Sequence, residues 1–522
     1  MSRTLADLRF DHRFTEALPA DPLSDATPRQ VHGAAYSFCA PTPVAAPQML
    51  AWSADAAALL GLGAEPEAMA AEVFSGNRLL AGSRPYATCY GGHQFGNWAG
   101  QLGDGRATML GTLIGADDKR IDVQLKGAGM TPYSRHADGR AVLRSSIREY
   151  LCSEAMHHLG VPTTRALCLV GTGDTVVRDM FYDGRPQREA GAIVTRLAPS
   201  FLRFGHYEIL AARGEHALLR QLLDHTITTH FPELGTPSKA VYLDWFEEVS
   251  RRTARMIAQW LRVGFVHGVM NTDNLSVLGL SIDYGPYGWL DNFDPGFTPN
   301  TTDRGGRYSF GNQAQIGAWN LTCLAQALLP LVDDVDALQA ALAEYREAFE
   351  EAYLAVLRDK LGLPLAGNLE DDFALVEALF GCFASVETDM TIFYRRLGHI
   401  AATVHTPETA LAELAPAFYA EPSLMAREKW LSWLADWQSA TMVEDAERVA
   451  RMHAANPWII PRNWLAQDAI KAAEAGDMRV LDRLMTALRA PYTERAEFAD
   501  LAARRPDWAR NEPGCSALSC SS

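Results

Sequence analysis

Between residues 266 and 285 the chain reads Val-His-Gly-Val-Met-Asn-Thr-Asp-Asn and then, after a short apolar stretch, Ile-Asp-Tyr-Gly. No other stretch constrains the fold as tightly, because two oxygen-bearing side chains, Asn274 and Asp283, must reach one point from nine residues apart. A hard cation such as Mg²⁺ takes one or two protein carboxylates or amides, with phosphate oxygens and water completing its shell. Nine residues suffice for a strand over 275–278, a turn at Gly279 and a second strand over 280–282, a hairpin that brings its ends together. Asp and Asn also populate ordinary turns, so the spacing alone leaves a plain turn open.

The upstream half narrows the choice. Residues 90–106 hold six glycines in seventeen positions: 91, 92, 96, 100, 103 and 105. Glycine reaches φ > 0 without steric cost and lets backbone N–H groups approach a phosphate. The pattern then predicts strands over 107–114 and 120–125, joined by a turn over 116–119 and ending in Lys126. A helix over 143–159 follows, stopped by Gly160 and Pro162. Its Glu149 is placed to hold the Lys126 ammonium against phosphate oxygens, or else to pair on the helix surface with Arg144 or Arg148. Arg106, Arg135, Arg140, Arg144 and Arg148 surround this region. Arg196 and Arg203 follow a strand that starts at Gly191, and guanidinium forks bind phosphate bidentately. Any one of these arginines is an ordinary surface residue; together they suggest a polyphosphate gripped by arginine.

Protein kinases carry His-Arg-Asp, a spacer and Asn in a catalytic loop, then Asp-Phe-Gly, with a glycine loop and a strand lysine upstream. His267 and Asn274 sit at that His and Asn spacing, and Asp283-Tyr284-Gly285 stands at Asp-Phe-Gly. The position of the catalytic Asp is Val269, which can neither accept a proton nor orient a hydroxyl. A carboxylate reappears at Asp273. The site is thus suited to a nucleotide with its metals but not to the usual kinase reaction.

The glycine segment, Val123-Gln-Leu-Lys-Gly-Ala-Gly-Met-Thr-Pro-Tyr-Ser-Arg135, the 267–274 loop and residues 283–286 together resemble the selenoprotein O family. The resemblance runs from about Phe38 to the Cys-Ser-Ser end. It implies a kinase-like fold, once classed as a pseudokinase, and transfer of AMP from ATP to protein side chains. Carried over residue by residue, it implies Lys126 as the phosphate-binding lysine with Glu149 as its ion-pair partner. It implies nucleotide contacts from Gly103, Gly105, Arg106, Asp138, Gly139, Arg196, Arg203 and Asp283. Asp273 would be the proton acceptor, and Asn274 and Asp283 the ligands of Mg²⁺ or Mn²⁺. ATP would lie flipped relative to a kinase, its γ-phosphate buried and its α-phosphate near the acceptor hydroxyl. One departure concerns redox control. Selenium-containing members place selenocysteine where this chain has Cys520, and in some bacterial relatives a terminal cysteine is proposed to pair with one after the metal Asp. Residues 284–315 contain no cysteine and Pro299 stands in that region; Cys515 and Cys520 remain able to pair with each other or elsewhere.

Composition sets the outer limits. The 522 residues suffice for two or three domains with substantial cores. A net charge of −16, from 47 basic and 63 acidic side chains, argues against a nucleic-acid binder, which needs a basic footprint. Acidic groups such as Asp333, Asp334, Asp336 and those of 344–351 read as solvated helix faces. The most apolar run, 318–332, is interrupted by Asn320, Thr322 and Gln326, so a core helix rather than a membrane span is expected. The amino terminus lacks the apolar core of a secretory signal. Eight scattered cysteines fit a reducing cytoplasm.

The expected fold is α+β: a protein-kinase-like bilobal arrangement with an α/β amino-terminal lobe and a larger helical carboxyl-terminal lobe. A nucleotide-binding lobe is expected over 1–200 and a helical catalytic lobe with the metal site over 201–455. An extension with the cysteine tail follows over 456–522. Helical periodicity predicts helices over 211–230, 242–263, 314–329, 335–361, 373–397, 408–418, 423–454 and 465–488. The expected function is metal-dependent transfer of AMP from ATP, or of UMP from UTP, to Ser, Thr or Tyr hydroxyls of proteins. An ATP-dependent phosphotransferase and a non-catalytic nucleotide-sensing scaffold are the alternatives.

Overall fold

The structure, a computed structural model, describes residues 2–180, 184–401, 405–441, 446–515 and 517–519. Its amino-terminal half is built on an antiparallel sheet. The main strands are β1 (Tyr36–Phe38), β2 (Gln48–Trp52), β3 (Tyr86–Thr88), β4 (Ala107–Ile114), β5 (Arg120–Lys126), β6 (Arg165–Arg178) and β7 (Gln187–Ala198). They lie in the order β1-β3-β4-β5-β7-β6-β2. The hairpin of β4 and β5 forms where the alternation predicts it, and Asp118 turns the chain at a φ of 61°.

Period-two alternation divides this sheet into two faces. Val123, Leu125, Ile193 and Leu197 enter one core with the helices Ala54–Leu59 and Ala70–Phe74. Ala192 and Val194 face the other way, onto α1 (Leu143–His158). That helix stops as expected: Gly160 takes a φ of 75° and Val161 N–H bonds back to the Met156 carbonyl at 2.9 Å. The carboxyl-terminal helices Asn463–Glu474 and Arg479–Leu488 return to this same core, where Leu465, Ile470 and Leu484 join Ile147 and Leu151. The end of the chain therefore braces the helix that carries Glu149.

The largest core lies in the helical half, among α2 (Phe204–Ala212), α3 (Lys239–Val263), α4 (Gln313–Val332) and α5 (Val335–Leu361). Ser238 caps α3 by accepting from Val241 N–H at 3.3 Å, and Gly264 ends it at a φ of 76°. Among the described residues no helix is long and apolar enough to cross a membrane.

Several expected elements are corrected. The 211–230 helix is two, Phe204–Ala212 and His216–His230, broken where Gly214 adopts a φ of 69°. The 373–397 helix is also two, Leu369–Phe383 and Met390–Ala401, because Asp389 between them is buried against Arg462, at 2.8 and 3.0 Å. Gly476 divides 465–488 in the same way as Gly214. The 408–418 helix stops at Leu414 and continues as a short 3-10 turn. The 423–454 helix is Leu424–Ala440 and Ala446–Ala455, with 442–445 outside the described residues. The hairpin over 275–282 shrinks to a single bridge, Leu275 with Ser281. Its would-be strands are claimed by neighbours, since Ser276 pairs with Arg203 and Ser281 with Thr163. The chain still reverses there.

Candidate active site

In the pairing of β5 with β7, Gln124 lies opposite Arg196 and Lys126 opposite Val194. Opposed residues leave the sheet on one face, and α1 covers that face. Glu149 on α1 meets both cations: Lys126 Nζ is 2.5 Å from Oε2, and Arg196 Nη1 is 2.7 Å from Oε1. Arg196 Nη1 also lies 2.5 Å from Asp283 Oδ1, and Lys126 Nζ lies 3.4 Å from the same oxygen. Arg203, the residue before α2, donates to Asp283 Oδ2 and, at 2.8 Å, to the Asp273 carbonyl, with its guanidinium over the Tyr90 ring. The surface pairing of Glu149 with Arg144 or Arg148 is thus excluded.

Three cations in this cluster face two carboxylates, which leaves one positive charge in excess. Buried ions are tolerated only when paired and hydrogen-bonded. Arg196, Arg203 and Glu149 are almost wholly buried, while the Asp283 side chain keeps 18% of its surface exposed. Burial opposes the charge of Asp283, but Arg203, Arg196 and Lys126 outweigh it and hold its carboxyl well below the usual range. Burial likewise opposes the charge of Glu149, and Lys126 and Arg196 hold it ionised. The Lys126 ammonium is pushed down from its ordinary value by burial and the nearby Arg196 and Arg106, against the pull of Glu149 and Asp283. These groups form a charged cradle whose more exposed carboxylate is Asp283.

His267 fixes the approach of Asp283. Its Nε2 donates to the Ile282 carbonyl at 2.9 Å, and burial lowers its pKa, keeping the ring neutral. Asp283 itself takes a φ of 57°, a left-handed conformation that Asp tolerates better than most residues. The Asn274 amide nitrogen donates to the Val269 carbonyl at 3.0 Å, which leaves its oxygen as the atom free to ligate. Oxygen donors from Asn274 and an ionised Asp283 suit a hard divalent cation.

Asp273 is the opposite kind of carboxylate. It sits in a 3-10 turn (Thr272–Asn274) and is 7% exposed. Its Oδ2 accepts from Gln94 Nε2 at 3.1 Å, and its Oδ1 is buried without a hydrogen-bond partner. Burial pushes its pKa up to about 7, against the Gln94 bond and Arg203. Gly92 presses on it: a Cβ there would stand 2.7 Å from Oδ1. Val269, at the kinase Asp position, is buried and apolar. The glycine pattern points Gly92 toward phosphate, and Gln94 carries no signal of its own in the sequence. Both prove to be the walls of the Asp273 pocket.

The remaining expected residues distribute around this centre. Gly103 and Gly105 pack against Tyr133 so closely that a side chain at either would collide with it. The Arg106 carbonyl accepts from Gly127 N–H at 2.7 Å, next to Lys126. Gly139 is joined to the strand end through its carbonyl, which accepts from Gly129 N–H at 3.1 Å. Asp138 stands further out, bonded twice by Arg178 at 2.6 and 2.8 Å, on the wall of an open groove of about 710 Å³ shared with Pro43 and Asp174. Three of the suggested phosphate arginines are otherwise engaged. Arg140 bonds the Thr42 and Pro43 carbonyls, Arg144 pairs with Glu189 at 2.6 Å, and Arg148 is buried over the Tyr287 ring. The tail docks beside Pro299, with Leu518 N–H donating to its carbonyl at 2.9 Å. Cys515 is buried and unpaired, and Cys520 lies outside the described residues.

The chain as a whole resembles proteins already known. The family model "Protein adenylyltransferase SelO" matches residues 25–489. A protein nucleotidyltransferase YdiU of Azoarcus sp. strain BH72 is 57% identical over 524 residues, 99% of each chain. One from Aromatoleum aromaticum is 55% identical over 531 residues, covering 99% of this chain and all of the relative. A third, from Xanthomonas euvesicatoria, is 54% identical over 525 residues, again 99% of this chain and all of the relative. A family model covering residues 25–489 and relatives matched over 99% of the chain make this protein a member of the SelO/YdiU family and a nucleotidyltransferase.

Proposed function

We propose that the chain is a metal-dependent protein adenylyltransferase that moves AMP from ATP onto Ser, Thr or Tyr hydroxyls of proteins. The observation that carries this reading is the adjacency of two unlike carboxylates, Asp283 ionised in the cation cluster and Asp273 largely desolvated beside it. A nucleotidyl donor needs an ionised carboxylate of the first kind to hold its metal ion, and a hydroxyl acceptor needs one of the second kind to take its proton.

In the proposed reaction Lys126, Arg196 and Arg203 turn part of their charge from Asp283 toward the triphosphate. Glu149 keeps Lys126 and Arg196 in place. Asn274 and Asp283 would hold Mg²⁺ or Mn²⁺, which when bound neutralises phosphate charge and polarises the phosphoryl oxygens. The Asp273 carboxylate accepts the proton of the acceptor hydroxyl as the hydroxyl oxygen bonds to the α-phosphorus. The bond from that phosphorus to the bridging oxygen breaks, and pyrophosphate leaves. The nucleotide lies with its α-phosphate toward Asp273, and Gly103, Gly105, Arg106, Asp138 and Gly139 line its path. This assigns the kinase-like amino-terminal lobe (1–200) to the nucleotide, the helical lobe (201–455) to the metal and base, and 456–522 to bracing α1. UTP is accommodated by the same phosphate contacts. The seven described cysteines are all unpaired and buried, in keeping with a reducing cytoplasm.

Incubation with ATP labelled at the α- or the γ-phosphate tests the reading. The α-label is expected on protein in the presence of Mg²⁺ or Mn²⁺; incorporation of the γ-label alone would instead establish a phosphotransferase.

A further inference from the structure

His93 and Gln94 pair with Asn97 and Trp98 in a small hairpin, turned by Phe95 and Gly96 at φ of 50° and 84°. This flap runs alongside residues 271–273 and is bonded to each of them. His93 N–H donates to Thr272 Oγ at 2.7 Å, Gln94 Nε2 to Asp273 Oδ2 at 3.1 Å, and Phe95 N–H to Asn271 Oδ1 at 3.2 Å. Tyr308 OH closes the far end by donating to the same Asn271 oxygen at 2.6 Å.

One buried carboxylate on α2 ties the two strips together. Glu208 is 4% exposed; its Oε1 accepts from His93 Nδ1 at 2.9 Å and its Oε2 from Thr272 Oγ at 2.5 Å. Thr272 thus accepts from the flap backbone and donates its own O–H to Glu208. Each member of the ring of bonds has a partner for its hydrogen. Cys323 Sγ lies within 4.8 Å of His93 and Glu208, a grouping with the donor types of a metal site. Both Glu208 oxygens are already taken, so the geometry is that of a hydrogen-bonded clasp rather than an ion site.

The clasp has a consequence for the neighbouring residues. His93 precedes Gln94 and Thr272 precedes Asp273, so fixing one pair fixes the other. Gln94 then holds Asp273 Oδ2, while Oδ1 stays buried against Gly92 without a hydrogen-bond partner. We propose that Glu208, acting through Thr272 and His93, is a positioning residue that locks the flap to the 271–273 turn and so fixes the orientation of the Asp273 carboxylate toward the acceptor hydroxyl. This rests on the assignment of Asp273 as proton acceptor. Neither Glu208 nor Thr272 reaches the nucleotide cradle, so the clasp should govern turnover and leave nucleotide affinity alone.

The test uses the full chain with Mg²⁺ and ATP, reading single-turnover transfer of the α-label, nucleotide affinity and Tm in each variant. Thr272→Val keeps the shape of the side chain and removes its donor. It is expected to lower transfer by about 10-fold to 100-fold, the scale of a misplaced catalytic group, with nucleotide affinity within about 2-fold. Thr272→Ser restores the hydroxyl and should restore the rate. In an Asp273→Asn background Thr272→Val should have no further effect, because it acts only through that carboxylate. If Asp273→Asn is inactive while Thr272→Val transfers at the wild-type rate, the clasp is refuted and the base assignment stands. A fall in affinity or Tm matching the fall in transfer would also refute it, as plain structural damage. Near-normal transfer by Asp273→Asn would overturn the base assignment, and the clasp with it.

Discussion

The two carboxylates on either side of the 275–282 reversal differ in almost every physical respect. Asp283 is shared by Lys126, Arg196 and Arg203 and is held ionised far below its ordinary pKa. Asp273 has one amide contact and an orphaned oxygen, and burial brings its pKa to about 7. On the proposed reading the same side chain, at two positions ten residues apart, serves charge in one case and proton transfer in the other. Environment makes the assignment, because each tenfold change in proton affinity corresponds to about 1.4 kcal/mol of differential interaction between the two protonation states. In the first region a network should lose function when any charge is removed. In the second the loss of a single group should spare binding.

Breaking the charged region should give the largest effect. Asp283→Ala leaves three cations facing Glu149 alone and removes the ionised ligand, so both nucleotide binding and transfer should fall below detection. Chelation by EDTA should abolish transfer as well. Titration of Mg²⁺ and ATP against the variant, with the label assay alongside, checks this. Survival of activity under both treatments would remove the metal from the account.

Asp273→Ala should come next, with transfer reduced by about 10²–10⁴-fold, the usual contribution of a general base. Nucleotide affinity should stay near wild type, since the cradle is intact. Val269→Asp in that background restores the kinase-position carboxylate and should not rescue adenylyl transfer. Rescue would point to a nucleotide bound in the ordinary kinase direction.

Lys126→Ala and Glu149→Ala sharpen the first half of the comparison. Each should raise the KM for ATP, and the double variant should be little worse than either single one, because they act as a unit. Additive losses would dissolve the pair despite its 2.5 Å contact.

The smallest effect concerns stability. Folding raises the Asp273 pKa from 3.8 to about 7, so the native state holds an extra proton between those values. Stability therefore falls as pH rises through that window, and the cost is complete above pH about 7. Asp273→Asn abolishes the ionisation. At pH 8 its Tm should exceed that of the wild type, reflecting a stability gain on the order of a few kcal/mol, and the gain should vanish near pH 4. Equal Tm values at both pH values would show that Asp273 is not desolvated as described.

The charged region is legible in the sequence and the Asp273 pocket only in part. Strand alternation ending in Lys126, a helix of the right length carrying Glu149, and the spacing of Asn274 and Asp283 are local patterns, and local patterns survive folding. Arg148 departs from the phosphate role its position suggests because its burial over Tyr287 is a tertiary contact between residues 139 positions apart. Gln94 and Glu208 carry no local signal, since the first meets Asp273 across 179 positions and the second meets His93 across 115. Gly92 is visible as a glycine, yet its missing side chain makes room for a carboxylate rather than for a phosphate. The helix break at Gly214 has a sequence signal, whereas the break before Met390 depends on Asp389 finding Arg462.

The separation of binding from chemistry is tested most directly by one paired measurement on Asp273→Ala: nucleotide affinity and single-turnover transfer of the α-label, made on the same sample. Wild-type affinity is expected, with transfer lowered by about 10²–10⁴-fold. Wild-type transfer, or a loss of transfer that only follows a loss of affinity, would contradict it.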